Sequence, residues 1–491
     1  MKNFTLTFLF LCASIAQLAA QYTTPGTGVD WTLDDIAAAS PSTVTISGTT
    51  YTLLENITIA ADDIVRINTD ITLEIEAGVR ITVLGLGSFY VEADDVTITA
   101  VNEAAPYDGF RFEEFSDISI QNATIQFGGG LQVLTETFVL NNCVLTNNVS
   151  GVTTGATVTL SRGIPVITNN QFLFNANPAI SSGANQSVSA FIANNYIEGN
   201  NQTNNNRPQI NMGATRVNDT LKIINNSIIG DRDLEQAGGI AVANLVGGAL
   251  RAIIEGNTIT DNRYGITVVG PNSYALIKDN IFEDNDTQGN PNLGGSGINL
   301  NAPTGGMTVD VTGNQIRRNL WGVTIQGPVD ANFGDDADNP GLNVFSENGN
   351  NGDIFALYNN GPNTILAKNN CWVEDGEGTL AEAEAVIFHV EDDATLGEVI
   401  FDPINCEAVA GIEDTILKNF VFYPNPAKNV ITFTNTLAFQ TLEIYDVQGK
   451  RMYSRQIFQG ANSIILNLPA GMYFASFSNE NNRVVKKLLV K

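Results

Sequence analysis

Histidine is almost absent from this chain, which has one, His389, among 491 residues. A zinc site built from several histidines is therefore excluded, and a Ser/His/Asp triad would depend on this single histidine. Cysteine is scarce too: four residues, of which Cys12 lies in the apolar N-terminal run. We predict a bridge between Cys371 and Cys406, with two unpaired buried thiols as the alternative. Cys143 and His389 are expected to be structural.

Positive charge is in short supply and unevenly placed. The chain holds 24 Lys+Arg against 52 Asp+Glu; residues 420–491 hold 8 against 3, whereas residues 21–419 hold 15 against 49, a balance of −34. Such a surface repels nucleic acid and anionic membranes, so we expect neither as a partner. It suits a solvated extracellular protein, or one in which Ca²⁺ bridges acidic groups.

Long apolar runs are lacking beyond the N-terminus. Residues 1–20 have a basic start, an apolar run from Phe4 to Ile15 and small residues ending at Ala20. This pattern predicts a secretory signal peptide cleaved before Gln21. No later stretch has the length of a membrane helix, so the mature protein is expected to be exported and without a transmembrane segment.

The chain does contain a recurring phrase, clearest in residues 253–269, in which short apolar strands are separated by asparagine and glycine. An asparagine with a large residue two places later recurs at spacings of 20 to 34 residues. The anchors are Asn122, Asn142, Asn170, Asn195, Asn226, Asn257, Asn280, Asn314, Asn343 and Asn370. Such a unit predicts stacked coils about 4.8 Å apart, in which the asparagines form an amide ladder at a left-handed bend and the +2 residues point inward.

With these anchors and the Gly-Ile or Gly-Val pairs at 265–266, 297–298 and 322–323, residues 40–405 resemble the right-handed parallel β-helix, pectate-lyase-like group. The resemblance implies an all-β solenoid and leaves activity open, because its members include lyases, hydrolases, epimerases, adhesins and stalks. A capping box at Thr32–Asp35 predicts a short helix over the first open edge. The phrase dissolves between Trp372 and Glu407, which predicts a C-terminal cap, so the β-helix with its caps spans 21–406 and a linker spans 407–419.

Residues 420–491 predict a small antiparallel β-sandwich, because alternating strands are separated by Gly and Pro turns. They contain four ordered motifs and resemble the type IX secretion sorting domain of Bacteroidota. That resemblance implies the type IX machinery as a partner and a secreted or outer-membrane-surface location. The residues that carry it are Tyr423, Pro424, Asn425, Pro426, Gly449, Gly471, Tyr473, Lys486 and Lys487.

The candidate catalytic residues follow one column of the predicted coils. Thr260, Glu283 and Arg317 are expected to point outward side by side, followed at the bend by Asp261, Asp284 and Arg318. On this fold a lyase commonly takes Arg or Lys as its base, and a glycosidase takes paired carboxylates, so Asp261, Glu283, Asp284 and Arg317 are the candidates. The alternative is a cross-strand ion pair between Glu283 and Arg317 on a solvated face. Polygalacturonase chemistry is disfavoured, because the chain lacks Gly-His-Gly and Arg-x-Lys.

Candidate ligand-binding residues lie near three long insertions at 199–209, 231–238 and 285–296. These insertions are expected to border a groove along the solenoid, with Thr260, Asp261 and Tyr264 on its floor. Tyr264 and Trp321 each precede the glycine of their coil and would lie roughly 10 Å apart, a spacing suited to stacking on sugars; packing over the turn is the alternative.

The acidic loop with Asp335, Asp336 and Asp338 offers oxygen ligands for Ca²⁺, although it lacks the EF-hand form and also fits a solvated turn. No other cofactor is expected. The leading hypothesis is therefore a secreted or surface-attached β-helix that binds extracellular polysaccharide or a surface partner without catalysis. The alternatives are a polysaccharide lyase or glycoside hydrolase, and a structural stalk or adhesin.

Overall fold

A computed structural model describes residues 21–290, 293–350, 352–406, 420, 422–435, 439–446, 448, 450–458, 460–479 and 483–491. The signal peptide predicted at 1–20 and the linker predicted at 407–419 lie outside these residues. In most coils the chain contributes one strand to each of three long sheets, named A, B and C, and strands of adjacent coils pair in parallel. The first two strands of sheet C instead pair with each other as an antiparallel hairpin. This architecture confirms the predicted parallel β-helix.

The strands of each sheet follow one another in chain order. Sheet A contains Gln21–Thr23, Asn56–Ile59, Arg80–Val83, Gly109–Phe112, Leu131–Val133, Val158–Gly163, Ile180–Val188, Pro208–Met212, Gly238–Ala243, Ile266–Val269, Ser296–Asn301, Trp321–Gln326, Leu357–Asn360 and Ile387–Phe388. Sheet B contains Asp30–Trp31, Ile64–Ile67, Ser88–Val91, Asp117–Gln121, Thr137–Asn141, Val166–Thr168, Phe191–Ala193, Leu221–Ile224, Leu250–Glu255, Ser273–Lys278, Met307–Thr312, Asp330–Gly334, Ile365–Ala367 and Val399–Ile400. Sheet C contains Val44–Ser47, Thr50–Leu53, Ile71–Ile75, Val96–Ala100, Ala123–Gln126, Val144–Thr146, Gln171–Leu173, Tyr196–Glu198, Ser227–Ile229, Thr258–Thr260, Ile281–Glu283, Gln315–Arg317 and Val344–Ser346.

The predicted asparagine ladder runs along the turn between sheets B and C. From Asn170 to Asn370, the Nδ2 of each anchor donates to the Oδ1 of the next at 2.9–3.0 Å. Each Nδ2 also donates to a backbone carbonyl of the preceding coil; that of Asn257, for example, reaches Ile223 O at 2.9 Å. These side chains are 0–2 % exposed, so the ladder satisfies polar groups in the interior.

Two details of the ladder prediction are wrong. Asn122 and Asn142 lie one residue before the ladder position of their coils. In the coil of Asn142 that position is occupied by Cys143, which is in register with Asn170 of the next coil. Consequently Thr124 and Val144 are only partly buried and do not point inward, whereas the +2 residues from Phe172 onward are buried. The left-handed residue of the regular coils is also not the anchor but the residue before it: Asn169, Asn194, Asn225, Gly256, Asp279, Gly313, Leu342 and Asn369.

A second amide ladder, which the sequence interpretation missed, follows the turn between sheets C and A. Its members are Asn148, Asn175, Asn200, Gln209, Asn262, Asn285, Asn319 and Asn348, joined by Nδ2 or Nε2 donation at 2.7–3.4 Å. Most of them follow an anchor by five residues, which is the sequence signal for them. The coil anchored at Asn226 lacks this asparagine, and the buried Gln209 bridges Asn200 to Asn262 instead.

Both ends of the solenoid carry short helices. Helix Leu33–Ala39 has the predicted capping box between Thr32 and Asp35, and helix Leu380–Glu384 has another between Thr379 and Glu382. Neither described helix is long and apolar enough to cross a membrane. A short hairpin pairs Gly349–Asn350 with Asp353–Ile354.

The C-terminal cap is closed by covalent and polar links. Cys371 and Cys406 form the predicted disulfide, and Cys143 is a buried free thiol. His389 is 3 % exposed; its Nδ1 accepts from the Val399 amide at 3.0 Å, and its Nε2 faces Glu384 Oε1 at 3.1 Å. The histidine therefore holds the cap together, as expected of a structural residue.

The C-terminal unit has its own antiparallel sheets and core. One sheet pairs Val430–Asn435 with Gly460–Ile465, and the other contains Arg451–Gln456, Thr441–Asp446, Gly471–Ser478 and Arg483–Val490. Phe477 packs at the centre of a phenylalanine cluster that includes Phe420, Phe433 and Phe439. The fold class is therefore as predicted: a parallel β-helix followed by small antiparallel sheets.

The Asn257→Ala variant should lose about 3 kcal/mol of unfolding free energy, because it removes the hydrogen bonds that the Asn257 side chain makes with buried groups of Asn226, Asn280 and Ile223. Urea and thermal unfolding followed by circular dichroism would measure the loss. Asn185→Ala, which removes an exposed asparagine, is the control and should change stability by less than about 0.5 kcal/mol. Equal stability of the two variants would contradict a stabilising role for the ladder.

Candidate functional site

The three long insertions lie at one edge of the solenoid, between sheets C and A. They connect Tyr196–Glu198 to Pro208–Met212, Ser227–Ile229 to Gly238–Ala243, and Ile281–Glu283 to Ser296–Asn301. The coils anchored at Asn257 and Asn314 have short turns at this edge. The predicted placement of the insertions is therefore correct.

An open groove of about 330 Å³ lies on the outer face of sheet A beside the third insertion. Four consecutive strands form it, together with Leu293 and Gly294 of that insertion. The residues that line it are Tyr264, Thr267, Leu293, Gly294, Ser296, Asn299, Trp321, Thr324, Gln326, Tyr358 and Asn360. None carries a charge, and the first two insertions do not reach the groove.

Tyr264 and Trp321 both line this groove. The Gly265 amide donates to the Ser296 carbonyl, and Ser296 is in register with Trp321, so two coil steps separate the two aromatic residues. At the strand spacing of a sheet this is roughly 10 Å. Their arrangement along one groove is the one the sequence suggested, and their role in binding stays a prediction.

The Tyr264 ring packs closely against the neighbouring coil, which has glycine at the contact. A Cβ atom on Gly238 would lie 2.2 Å from Cζ of Tyr264. Burial of the ring raises the pKa of the Tyr264 hydroxyl, although Arg263 opposes the rise, so the hydroxyl stays protonated at neutral pH. It can therefore act as both donor and acceptor.

Trp321 begins a larger aromatic surface that continues to the end of sheet A. Its ring stacks on Phe355 at 5.4 Å and meets Tyr358 edge-on at 4.9 Å, and Tyr358 stacks on Phe388 at 4.4 Å. These contacts fix the ring orientations without filling the groove. A partly exposed, pre-oriented aromatic surface suits a planar or sugar-like partner.

The candidate catalytic residues form an ion-pair network on sheet C instead of lining the groove. Glu283 is in register with Arg317, as predicted, and accepts from it at 3.2 Å. Arg317 is also held by Glu374 through two hydrogen bonds of 2.6 Å each. The side chain of Arg317 is only 12 % exposed, so it faces protein carboxylates rather than an open site.

The aspartates at the bend are paired as well. Arg318 donates to Asp284 at 2.9 and 3.0 Å. Arg232, from the second insertion, joins Asp261 at 2.7 Å to Asp286 at 2.8 Å. Asp261 and its neighbour Thr260 therefore do not form the groove floor, which corrects that expectation; of the three residues proposed for it, only Tyr264 does.

Arg317 stays protonated in this environment, which is unfavourable for a general base. Burial alone would lower its pKa, but hydrogen bonds and charge attraction from Glu374 and Glu283 outweigh burial and raise the pKa above its ordinary value. A general base needs an accessible deprotonated form near neutral pH. The geometry thus favours the ion-pair interpretation of Glu283 and Arg317 over the catalytic one.

The predicted calcium ligands do not converge. Asp335 Oδ1 accepts from the amides of Ala337, Asp338 and Asn339 within 3.0 Å, and these bonds, with one from Asn332, lower the pKa of Asp335 to about 2. Asp336 pairs with Lys368. Within the described ranges, no three acidic, histidine or cysteine side chains are grouped to hold a metal ion. The loop is therefore a turn closed by its own backbone.

The sorting-motif residues lie near the last strand of the C-terminal unit. Asn425 accepts from the Leu489 amide at 2.8 Å and donates to the Lys487 carbonyl at 2.7 Å, so the Tyr423–Pro426 segment is fixed to Arg483–Val490. Tyr473, two residues after Gly471, donates to the Pro469 carbonyl at 2.8 Å. Lys486 is half-buried, which lowers its pKa, and Lys487 is exposed. Gly449 lies outside the described residues.

Arg317→Ala should destabilise the protein by about 3 kcal/mol, because Glu374 would be left as a partly buried, unpaired carboxylate and Glu283 would keep only its ion pair with Arg318. Thermal unfolding measures the effect, and Arg317→Gln/Glu374→Gln should restore part of it by removing the unpaired charge. The control Arg455→Ala removes an arginine from an exposed position of the C-terminal unit and should leave the β-helix transition unchanged. An unaltered transition in Arg317→Ala would contradict the structural role.

Comparison with known proteins identifies the C-terminal unit. A family described as the secretion system C-terminal sorting domain matches residues 421–491. A crystal structure of the periplasmic alginate epimerase AlgG is similar to this chain with 11 % identity and a TM-score of 0.40, covering 77 % of this chain and 82 % of that one. No curated protein matches the chain. The protein therefore carries a type IX C-terminal sorting domain and is secreted or displayed at the cell surface.

Proposed function

We propose that the β-helix binds extracellular carbohydrate in the sheet A groove without catalysing a reaction, after export through the type IX machinery of a member of the Bacteroidota. The observation that carries the proposal is the lining of one open groove, in which Tyr264 and Trp321 share a surface with hydroxyl and amide side chains. Aromatic faces pack against the apolar faces of sugars, and neutral polar groups exchange hydrogen bonds with their hydroxyls.

The alternative is a polysaccharide lyase or glycoside hydrolase. Its candidate residues, Asp261, Glu283, Asp284 and Arg317, are paired with one another or with further charged residues. A substrate would have to break these pairs before it could meet a free carboxylate or a deprotonated base. Binding without turnover agrees better with this arrangement.

Trp321→Ala and Tyr264→Ala should each weaken glycan binding about tenfold, because each removes one stacking face worth about 1.4 kcal/mol. Affinity electrophoresis and calorimetry on the full chain measure binding, and the same samples are assayed for reducing ends and unsaturated uronates. Tyr274→Ala, on the outer face of sheet B, is the matched aromatic control and should bind as the unmodified protein does. Turnover abolished by Arg317→Ala or Asp284→Ala would overturn the non-catalytic proposal, and absence of glycan binding would support the stalk or adhesin.

Gly238→Ala should weaken binding without removing any group from the groove, because the new Cβ atom displaces the Tyr264 ring. The expected loss is similar to that of Tyr264→Ala, again about tenfold. Gly289→Ala in the third insertion is the control, since a Cβ atom there meets nothing within 4 Å. Unchanged affinity in Gly238→Ala would show that the position of the Tyr264 ring does not matter.

A further inference from the structure

The chemistry of the groove also selects the kind of polysaccharide. We propose, as an inference that rests on the proposed function, that the groove binds a neutral, extended glycan and discriminates against polyuronates. A uronate chain carries one carboxylate per sugar, and a buried carboxylate needs a cation or a set of directed donors. The groove lining supplies neither a lysine nor an arginine.

The polar groups that do line the groove match hydroxyls. Ser296 and Thr324 share a hydrogen bond of 2.8 Å, and Asn299 Nδ2 donates to Thr267 Oγ1 at 2.8 Å. Hydroxyl and amide groups both donate and accept, as sugar hydroxyls do. The Oδ1 atom of Asn299 is buried and has no donor within the part of the chain that is described, so this amide keeps unused hydrogen-bonding capacity at the groove floor.

The strand register gives the groove a direction. Thr267, Asn299, Thr324 and Tyr358 follow one another in register on four consecutive coils. A ligand that contacts all four must run across the strands, parallel to the solenoid axis, with one contact about every 4.8 Å. An extended chain can make such repeated contacts, whereas a compact monosaccharide meets only one or two of them.

One arginine, Arg263, lies beside the groove but does not line it. Arg263 adjoins Tyr264, but its guanidinium donates to Asn206 Oδ1 at 2.5 Å and to the Leu293 carbonyl. Beyond the groove, residues 21–419 carry a balance of −34. This field repels a polyanion at low ionic strength and leaves a neutral chain unaffected.

The test compares neutral β-linked glucans, mannans and xylans with polygalacturonate and alginate, by affinity electrophoresis and calorimetry on the full chain at 20 mM and 300 mM NaCl. At least one neutral chain should bind, with an affinity that changes less than twofold with salt, and both polyuronates should bind at least tenfold more weakly. Equal or tighter binding of a polyuronate overturns the inference and leaves the proposed carbohydrate binding intact. Binding of no glycan of either class instead overturns the proposed function.

A charge substitution tests the location. Thr324→Lys places a cation on the groove floor and should reduce neutral-chain binding at least tenfold while improving polyuronate binding, most strongly at low salt. Thr308→Lys makes the same change on the exposed outer face of sheet B and should alter neither. Neutral-chain binding that survives both Thr324→Lys and Trp321→Ala would place the site elsewhere and overturn the inference.

Discussion

From Asn148 to Asn370, buried side-chain amides hold each coil of this β-helix to the next. An asparagine in a parallel stack can donate to its successor and to a backbone carbonyl of the preceding coil, and the two ladders do so at both turns that flank sheet C. An amide buried without partners is costly, so every rung depends on its neighbours. The ladders therefore fix the register of all the coils between them.

Because the register between coils is fixed, residues at equivalent positions of successive coils form columns on the surface of the solenoid. Outward side chains at equivalent positions lie one strand spacing apart, so four residues far apart in the chain line one groove on sheet A. Insertions can leave the solenoid at a turn without disturbing the ladder, and Gln209 shows how the ladder tolerates a missing rung. The buried residues of the solenoid thus stabilise the fold, whereas the residues on its outer faces are available for recognition.

The charged residues are likewise separated from the groove. The carboxylates and arginines at the edge of sheet C neutralise one another, and Arg317 also ties its coil to the cap near the Cys371–Cys406 disulfide through Glu374. The groove, one sheet away, is lined only by uncharged residues. A chain with so large an excess of acid thereby presents an uncharged surface where a ligand would lie.

The sequence alone determined the sorting domain with the export route it implies, and the parallel β-helix, because the sorting motifs and the repeated strand and turn signals are local. It also placed Tyr264 and Trp321 on one surface, since their positions relative to the coil glycines are equivalent. Only the tertiary structure decided that Cys143 replaces an anchor, that Gln209 fills a rung, and that Arg317 pairs with Glu374. These contacts join residues 27 to 57 positions apart through side-chain direction, which no local pattern encodes.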